Sequence, residues 1–409
     1  MAYAEAKNTR LRENTLDDDA IPEKRGRVDL PFTILVLILL SIGVVMVLSA
    51  SYASAYYESG EPTKYFTRQL IFAVVGVAAM FLFSYIKMKT YRNFSMPLLA
   101  LAVGLLIMVL FIGVERNHAK RWFDLGFTTF QPSEIAKIAV IMAFSVMVCK
   151  YGDGLRNFKW SHKSEFIKAF FPFAGVLGVI GALLLMEPHK SATIIIIAIG
   201  AVVLFAGGFD VKLVFLALGI AAAAAIILIS KAESSYAELA ATGGGDYAFR
   251  RIVFWLHPEA DPSNGGYQVL QSLYAVGSGG LTGLGLGQSR QKYLYLPEEH
   301  NDYIFAIVCE ELGFIGAALI LVLFAMLIIR GFWIALHART KFDALVAAGV
   351  TGMLAIQVFL NISVVTNFIP CTGISLPFFS YGGTALLMQL AEMGVILSVS
   401  RDMPTTRNG

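Results

Sequence analysis

Apolar runs near or above the roughly 20 residues that a helix needs to cross a bilayer recur along this chain from residue 31 to residue 400. In lipid, a spanning segment must satisfy its own backbone polar groups, which restricts long apolar runs of this kind to helices. Ten can be placed, at about 31–51, 68–86, 96–114, 132–149, 170–187, 191–208, 211–230, 303–329, 343–366 and 381–400. Composition agrees, with 57% hydrophobic and only 15% charged residues. A soluble chain of this length needs far more polar surface. The expected fold is an all-α polytopic membrane protein of about ten transmembrane helices, with a large extracytoplasmic loop between helices 7 and 8. Several soluble domains in a row are excluded, and no nucleic-acid partner is expected.

An even number of spans puts both termini on one side, and the excess of Lys and Arg in inside loops selects that side. With the N-terminus inside, those loops hold Lys87, Lys89 and Arg92, then Lys150, Arg156, Lys159, Lys163 and Lys168, then Arg330, Arg339 and Lys341. The outside loops are less basic, apart from Arg116, Lys120 and Arg121. Both termini are therefore expected in the cytoplasm. Residues 1–29 are polar and lack the short apolar core of a cleaved signal. They read as a disordered tail, with the first span an uncleaved anchor. Residues 30–400 read as the membrane domain and 401–409 as a short cytoplasmic tail.

The segment 231–302 is the main hydrophilic feature. A structureless loop of this length is uncommon in a compact protein, and its aromatic content argues against disorder. Short helices or re-entrant pieces packed on the membrane surface are expected. Cys149, Cys309 and Cys371 lie far apart, with no disulfide framework or metal spacing. No internal repeat is apparent, which argues against the repeat-built transporters.

Asp302 stands where this polar segment meets an apolar helix, beside Glu299 and His300. It reads either as a first-turn acid of the helix that follows or as a base or metal ligand at the outer membrane boundary. Arg290 and Lys292 follow a glycine run, where backbone amides and cations together suit an anion; ordinary basic residues of a surface loop are the plainer reading. Glu310 and Glu311 lie deeper, Glu310 roughly 12 Å below Asp302 by helix rise. They point to different faces and read as structural ion-pair partners. Glu134 and Lys137 are three apart at the start of a span, a spacing that suits a helical ion pair. Arg121-Trp122 suits an interface, His189 reads as structural, and Ser380 precedes a small-residue approach to the last span.

Taken together these strings resemble the SEDS family (shape, elongation, division and sporulation). The resemblance covers 30–400 and rests on Arg121-Trp-Phe-Asp-Leu-Gly126, Gln131-Pro-Ser-Glu-Ile-Ala-Lys137, Gly265-Gly-Tyr-Gln268, Gly283-Leu-Gly-Leu-Gly287, Leu296-Pro-Glu-Glu-His-Asn-Asp302-Tyr-Ile-Phe-Ala306, Glu310-Glu-Leu-Gly313 and Ser380-Tyr-Gly-Gly383. The first span, ending in Ser49-Ala-Ser51, is most similar to the division and sporulation branch. The turn Pro188-His-Lys-Ser-Ala-Thr193 departs from the Pro-Asp-Leu-Gly-Thr of many members, so no catalytic role is assigned there.

The resemblance implies a plasma-membrane glycosyltransferase that polymerises lipid II, with Asp302 as the catalytic carboxylate and Glu134–Lys137 as a buried pair needed for function. Arg121, Arg290, Lys292 and Ser380 become candidates for binding the lipid-linked pyrophosphate. The resemblance leaves room for a divalent cation, Mg2+ or Mn2+, with Asp302 as a ligand. It implies a class B penicillin-binding protein as partner, among other division or sporulation proteins. Two rival readings are a lipid II flippase or other transporter, using Glu310, Glu311 or Glu392 near mid-membrane, and a non-catalytic scaffold for cell-wall enzymes.

Overall fold

A computed structural model describes residues 25–116, 119–126, 128–156, 163–234, 247–260 and 266–403. Most of the two terminal tails, and Gly243–Asp246 and Asp261–Gly265 of the long loop, lie outside the described residues. The expected helices are present: α1 (Leu30–Ser59), α2 (Lys64–Tyr85), α3 (Met88–Ile112), α4 (Pro132–Leu155), α5 (Lys163–Met186), α6 (Lys190–Ala206) and α7 (Val211–Ser234). Two short helices, α8 (Tyr247–Leu256) and α9 (Tyr267–Ser278), precede α10 (Ile304–Leu336), α11 (Lys341–Val365) and α12 (Gly383–Asp402). Among the described residues eight of these are long and apolar enough to cross a membrane; α6 is apolar but has 17 residues.

The spans differ in how much of them other helices cover. In α4, α11 and α12, 72% of the apolar stretch is buried within the protein, against 22% in α2, α3 and α5. The first three therefore form the interior of the bundle, and the latter three present apolar side chains outward, where lipid would solvate them. The central helix α1 starts with Asp29, whose carboxylate accepts from the Phe32 amide at 3.0 Å, and ends at Gly60 in the left-handed conformation. Gly43 lets α1 touch the backbone preceding α12, since a Cβ there would lie 2.2 Å from the Phe378 carbonyl oxygen.

At one end of the bundle Arg25 ties three chain segments together. Its guanidinium donates to Asp402 at 2.6 Å and to the carbonyl oxygens of Tyr85 and Ser398 at 2.8 and 3.0 Å. At the same end Asp29 pairs with Arg330, 2.6 Å away. At the opposite end lies a small antiparallel sheet not expected from the sequence: β1 (Val114–Arg116), β2 (Ala119–Asp124) and β3 (Thr129–Phe130), in the order β1-β2-β3.

In the long loop one segment is seated in a break of a spanning helix. Helix α10 is broken at Gly313 (φ 66°, ψ −171°), nine residues into the helix and so roughly 14 Å along its axis. The glycine-rich segment 279–287 enters the gap. The Leu284 and Gly285 amides donate to the carbonyl oxygens of Glu310 and Glu311, both at 3.0 Å. In return the Phe314 and Ile315 amides donate to Gly280 and Leu281, at 2.9 and 3.1 Å. A break at this depth leaves backbone groups without partners in lipid, and this segment supplies them. Only glycines fit: a Cβ on Gly313 would lie 2.2 Å from the Gly283 nitrogen, and both residues have positive φ.

Candidate active site

Asp302 lies just before the first turn of α10, at the end of the bundle opposite Arg25. Its backbone is fixed from two other elements. Asn361 of α11 donates its one amide nitrogen to both the Asp302 and Ile374 carbonyl oxygens, each at 2.7 Å. Ser380 Oγ donates to the neighbouring Asn301 carbonyl at 2.8 Å and accepts from the Leu376 amide at 2.7 Å. The Tyr381 amide donates to His300 O at 2.9 Å. Ser380 thus acts as a brace behind Asp302.

The Asp302 side chain is partly buried, and among the described residues none hydrogen-bonds its carboxyl oxygens. Gly373, with φ +67°, lies so close that a Cβ there would come 3.2 Å from Oδ2. Burial, reinforced by the Glu298 carboxylate, raises the Asp302 pKa to about 6, while Arg251 and His300 act in the opposite sense. A carboxylate that is poorly solvated, unpaired and near neutral in pKa is suited to accept a proton.

Around it the site is aromatic and basic. His300 stacks on Tyr65 at 4.7 Å between ring centroids, and Tyr65 meets Tyr381 edge-on at 4.8 Å. Arg251 of α8 donates to the Cys371 carbonyl at 3.3 Å, next to Gly373. Arg251, Asn361 and Gly373 carry no recognisable motif. The one available signal was the Arg250-Arg251 pair in an otherwise apolar stretch.

Arg290 and Lys292 are separated by the structure. Lys292 is buried, its Nζ 2.9 Å from Glu311 Oε1 and 3.2 Å from Ser49 Oγ. Arg290 is exposed, and its backbone amide donates to Glu310 at 3.0 Å. Glu310 also accepts from the Gln291 amide and from Ser289 Oγ. The expected ion pair is found for Glu311. Glu310 is held by amides and a hydroxyl instead, and both carboxylates grip one segment, because residues 289–292 fold against the turn where α10 breaks.

The remaining candidates form a second polar group. Arg121, carried by β2, donates to the Glu187 carbonyl at 3.2 Å and to the Pro188 carbonyl, which fixes its guanidinium on the turn between α5 and α6. Glu187 in that turn is buried, and burial raises its pKa to about 8, with Arg121 opposing. Burial lowers the His189 pKa to about 3, helped by Arg121 and Lys137, so His189 is neutral; it lies 3.3 Å from the Gln131 amide nitrogen. Glu134 and Lys137 form the expected pair at 2.7 Å. Among the described residues, Ser133 Oγ, Glu187 Oε1 and Glu392 Oε1 are buried in this region without a hydrogen-bond partner. Among the described residues no three His, Cys, Asp or Glu side chains are grouped to hold a metal ion.

The fold and site define a polytopic membrane protein with a partly buried carboxylate, Asp302, at one end of the bundle. The chain belongs to the FtsW/RodA/SpoVE family of cell cycle proteins, whose model matches residues 30–404. It is 39% identical over 382 residues to stage V sporulation protein E of Bacillus subtilis (strain 168), covering 92% of this chain and 98% of that one. It is 35% identical to the probable peptidoglycan glycosyltransferase FtsW of Geobacter sp. (strain M18), covering 92% and 97%. Among solved structures it is similar to a chain of a peptidoglycan synthase complex that coordinates polymerization and crosslinking (TM-score 0.71, 26% identity, 92% and 99% covered). It is also similar to the rod shape determining protein RodA of Thermus thermophilus (TM-score 0.63, 25% identity, 92% and 97% covered).

Proposed function

We propose that the chain is a peptidoglycan glycosyltransferase that polymerises lipid II, with Asp302 as general base. The observation that carries this is the Asp302 carboxylate, fixed through its backbone, free of hydrogen-bond donors among the described residues, and with a pKa of about 6. Asp302 takes the proton from the acceptor sugar hydroxyl as that oxygen attacks the anomeric carbon of the donor. The anomeric carbon–phosphate bond breaks, and undecaprenyl pyrophosphate departs. Because pyrophosphate leaves readily, the second carboxylic acid of a typical glycosidase is not needed. One direct displacement inverts the anomeric centre.

Arg251, close enough to Asp302 to act on its pKa, is the cation that would offset the departing charge. Lys292 is engaged by Glu311 and Arg121 by the α5–α6 turn. Asp302 would be the residue to hold a divalent cation, which when bound would add positive charge beside the leaving group. Glu310 and Glu311, two of the three charges on which the transporter reading rests, are fixed by buried hydrogen bonds, which supports transfer over transport.

Both termini lie in the cytoplasm on this reading, and Asp302 lies at the outer leaflet, where the sugar of a lipid-linked donor meets water. A class B penicillin-binding protein would supply the crosslinking that accompanies polymerisation. The test is incubation of the membrane-reconstituted chain and partner with lipid II. Release of undecaprenyl pyrophosphate with an inverted glycosidic linkage is expected; a product with retained configuration would contradict the single displacement.

A further inference from the structure

We propose that the cleft between α9 and the segment 290–295 is a saccharide subsite that holds the glycan strand while Asp302 extends it. The inference rests on the transferase reading and adds a second binding site to it. The cleft has a volume of about 610 Å3 and is lined by Gln271, Tyr274, Arg290, Gln291, Tyr293 and Tyr295. That volume lies within the range of small-ligand sites, about 300–1,000 Å3.

The chemistry of the lining selects the ligand class. Three tyrosines, each 56% exposed, line the cleft. A pyranose has one apolar face of C–H bonds that packs on such rings, and a rim of hydroxyl and N-acetyl groups that carboxamides and Tyr hydroxyls can bind. Gln271 and Gln291 supply the carboxamides, and Arg290 supplies one cation for the carboxylate of a sugar-linked lactyl or peptide group. A site for phosphate alone would need more positive charge, yet the nearest cation in sequence, Lys292, is buried against Glu311. A site for an acyl or prenyl chain would not line itself with two amides and a guanidinium.

The cleft is also built rather than incidental. The Arg290 and Gln291 amides are fixed on the buried Glu310, the Tyr293 amide donates to Arg290 O at 3.2 Å, and the Leu296 amide donates to Gln291 O at 3.0 Å. Ring-bearing residues on a pinned backbone bind with little loss of freedom. The wall is tied to the segment that leads to Asp302. Gln268 on α9 donates to the Pro297 carbonyl at 3.2 Å. Gln271 lies one turn further along α9 and Tyr274 two turns. From Pro297 the chain runs five residues to Asp302.

The test uses the full chain in lipid nanodiscs with chitotetraose, a short lipid-free glycan, as probe. Saturation-transfer NMR should show contact of the probe with wild type and with Asp302→Asn alike. A Tyr274→Ala/Tyr293→Ala variant should lose at least fivefold of that signal, while Tyr274→Phe/Tyr293→Phe, which keeps the rings and controls for folding, should retain most of it. No transfer to wild type, or equal transfer to the double alanine variant, would overturn the proposal and leave the tyrosines as a membrane-interface belt. Chitotetraose bound at the cleft by a chain that makes no polymer from lipid II would refute the transferase reading alone.

Discussion

Glu311 and Lys292 form a buried ion pair, 2.9 Å apart, with side-chain exposures of 0% and 3%. The pair joins α10 to the segment that leads to Asp302, and Ser49 of α1 donates to the same carboxylate. Removing one partner strands the other charge in an apolar interior, which costs about 3–5 kcal/mol. Glu311→Gln should therefore lower the thermal stability of the purified protein markedly. Glu311→Leu combined with Lys292→Met should recover most of the loss. An unchanged melting temperature in Glu311→Gln would show that the pair is not buried as described.

Gly313→Ala should fail for a different reason. The added methyl would meet the Gly283 nitrogen at 2.2 Å, and the φ of 66° is unfavourable for alanine. Strain of this kind costs about 1–3 kcal/mol before any clash is counted. The expected outcome is low yield of folded protein and lost activity. Gly104→Ala, on α3 with open space around the site, is the control and should be silent.

The pKa of Asp302 sets the pH dependence. A base works when deprotonated, so activity should rise as pH passes through about 6 and reach a plateau above it. At pH 5 about a tenth of the plateau should remain, for a single ionisation. Glu298 raises the value and Arg251 lowers it. Glu298→Gln should therefore move the rise to lower pH, and Arg251→Ala to higher pH. Shifts of the opposite sign in the pH–rate profile would contradict this assignment of charges.

The bundle and the boundary carboxylate proposed to react were legible in the sequence because their signals are local. An apolar run of sufficient length can only be a helix in lipid, and an acid such as Asp302 at a membrane boundary is conspicuous. The pair of Glu134 with Lys137 was legible for the same reason, one helical turn being enough. The break in α10 was not: Gly313 in an apolar run reads equally as a small residue for close packing. Lys292 was grouped with Arg290 as an anion site, because nothing local shows that its partner stands 19 positions later. The fixing of Asp302 by Asn361, 59 positions away, depends on tertiary packing and leaves no periodic trace.

The Arg25 clamp predicts that the far end of the bundle is held by charge as well as packing. Arg25→Ala removes donors from Asp402 and from four carbonyl oxygens. Loss of these partly buried charged hydrogen bonds should destabilise the protein by about 1–3 kcal/mol. Activity per folded molecule should be unchanged, since Asp302 lies at the other end. Thermal unfolding and specific activity, measured together, separate the two effects.

The central claim is tested most directly by polymerisation of purified lipid II, comparing wild type with Asp302→Asn, each co-purified with the class B penicillin-binding protein proposed as partner. The substitution keeps the size of the side chain and removes the base. Long glycan chains from wild type and none from the variant, at equal folding and equal partner binding, are predicted. Equal polymer from both would contradict the assignment of Asp302.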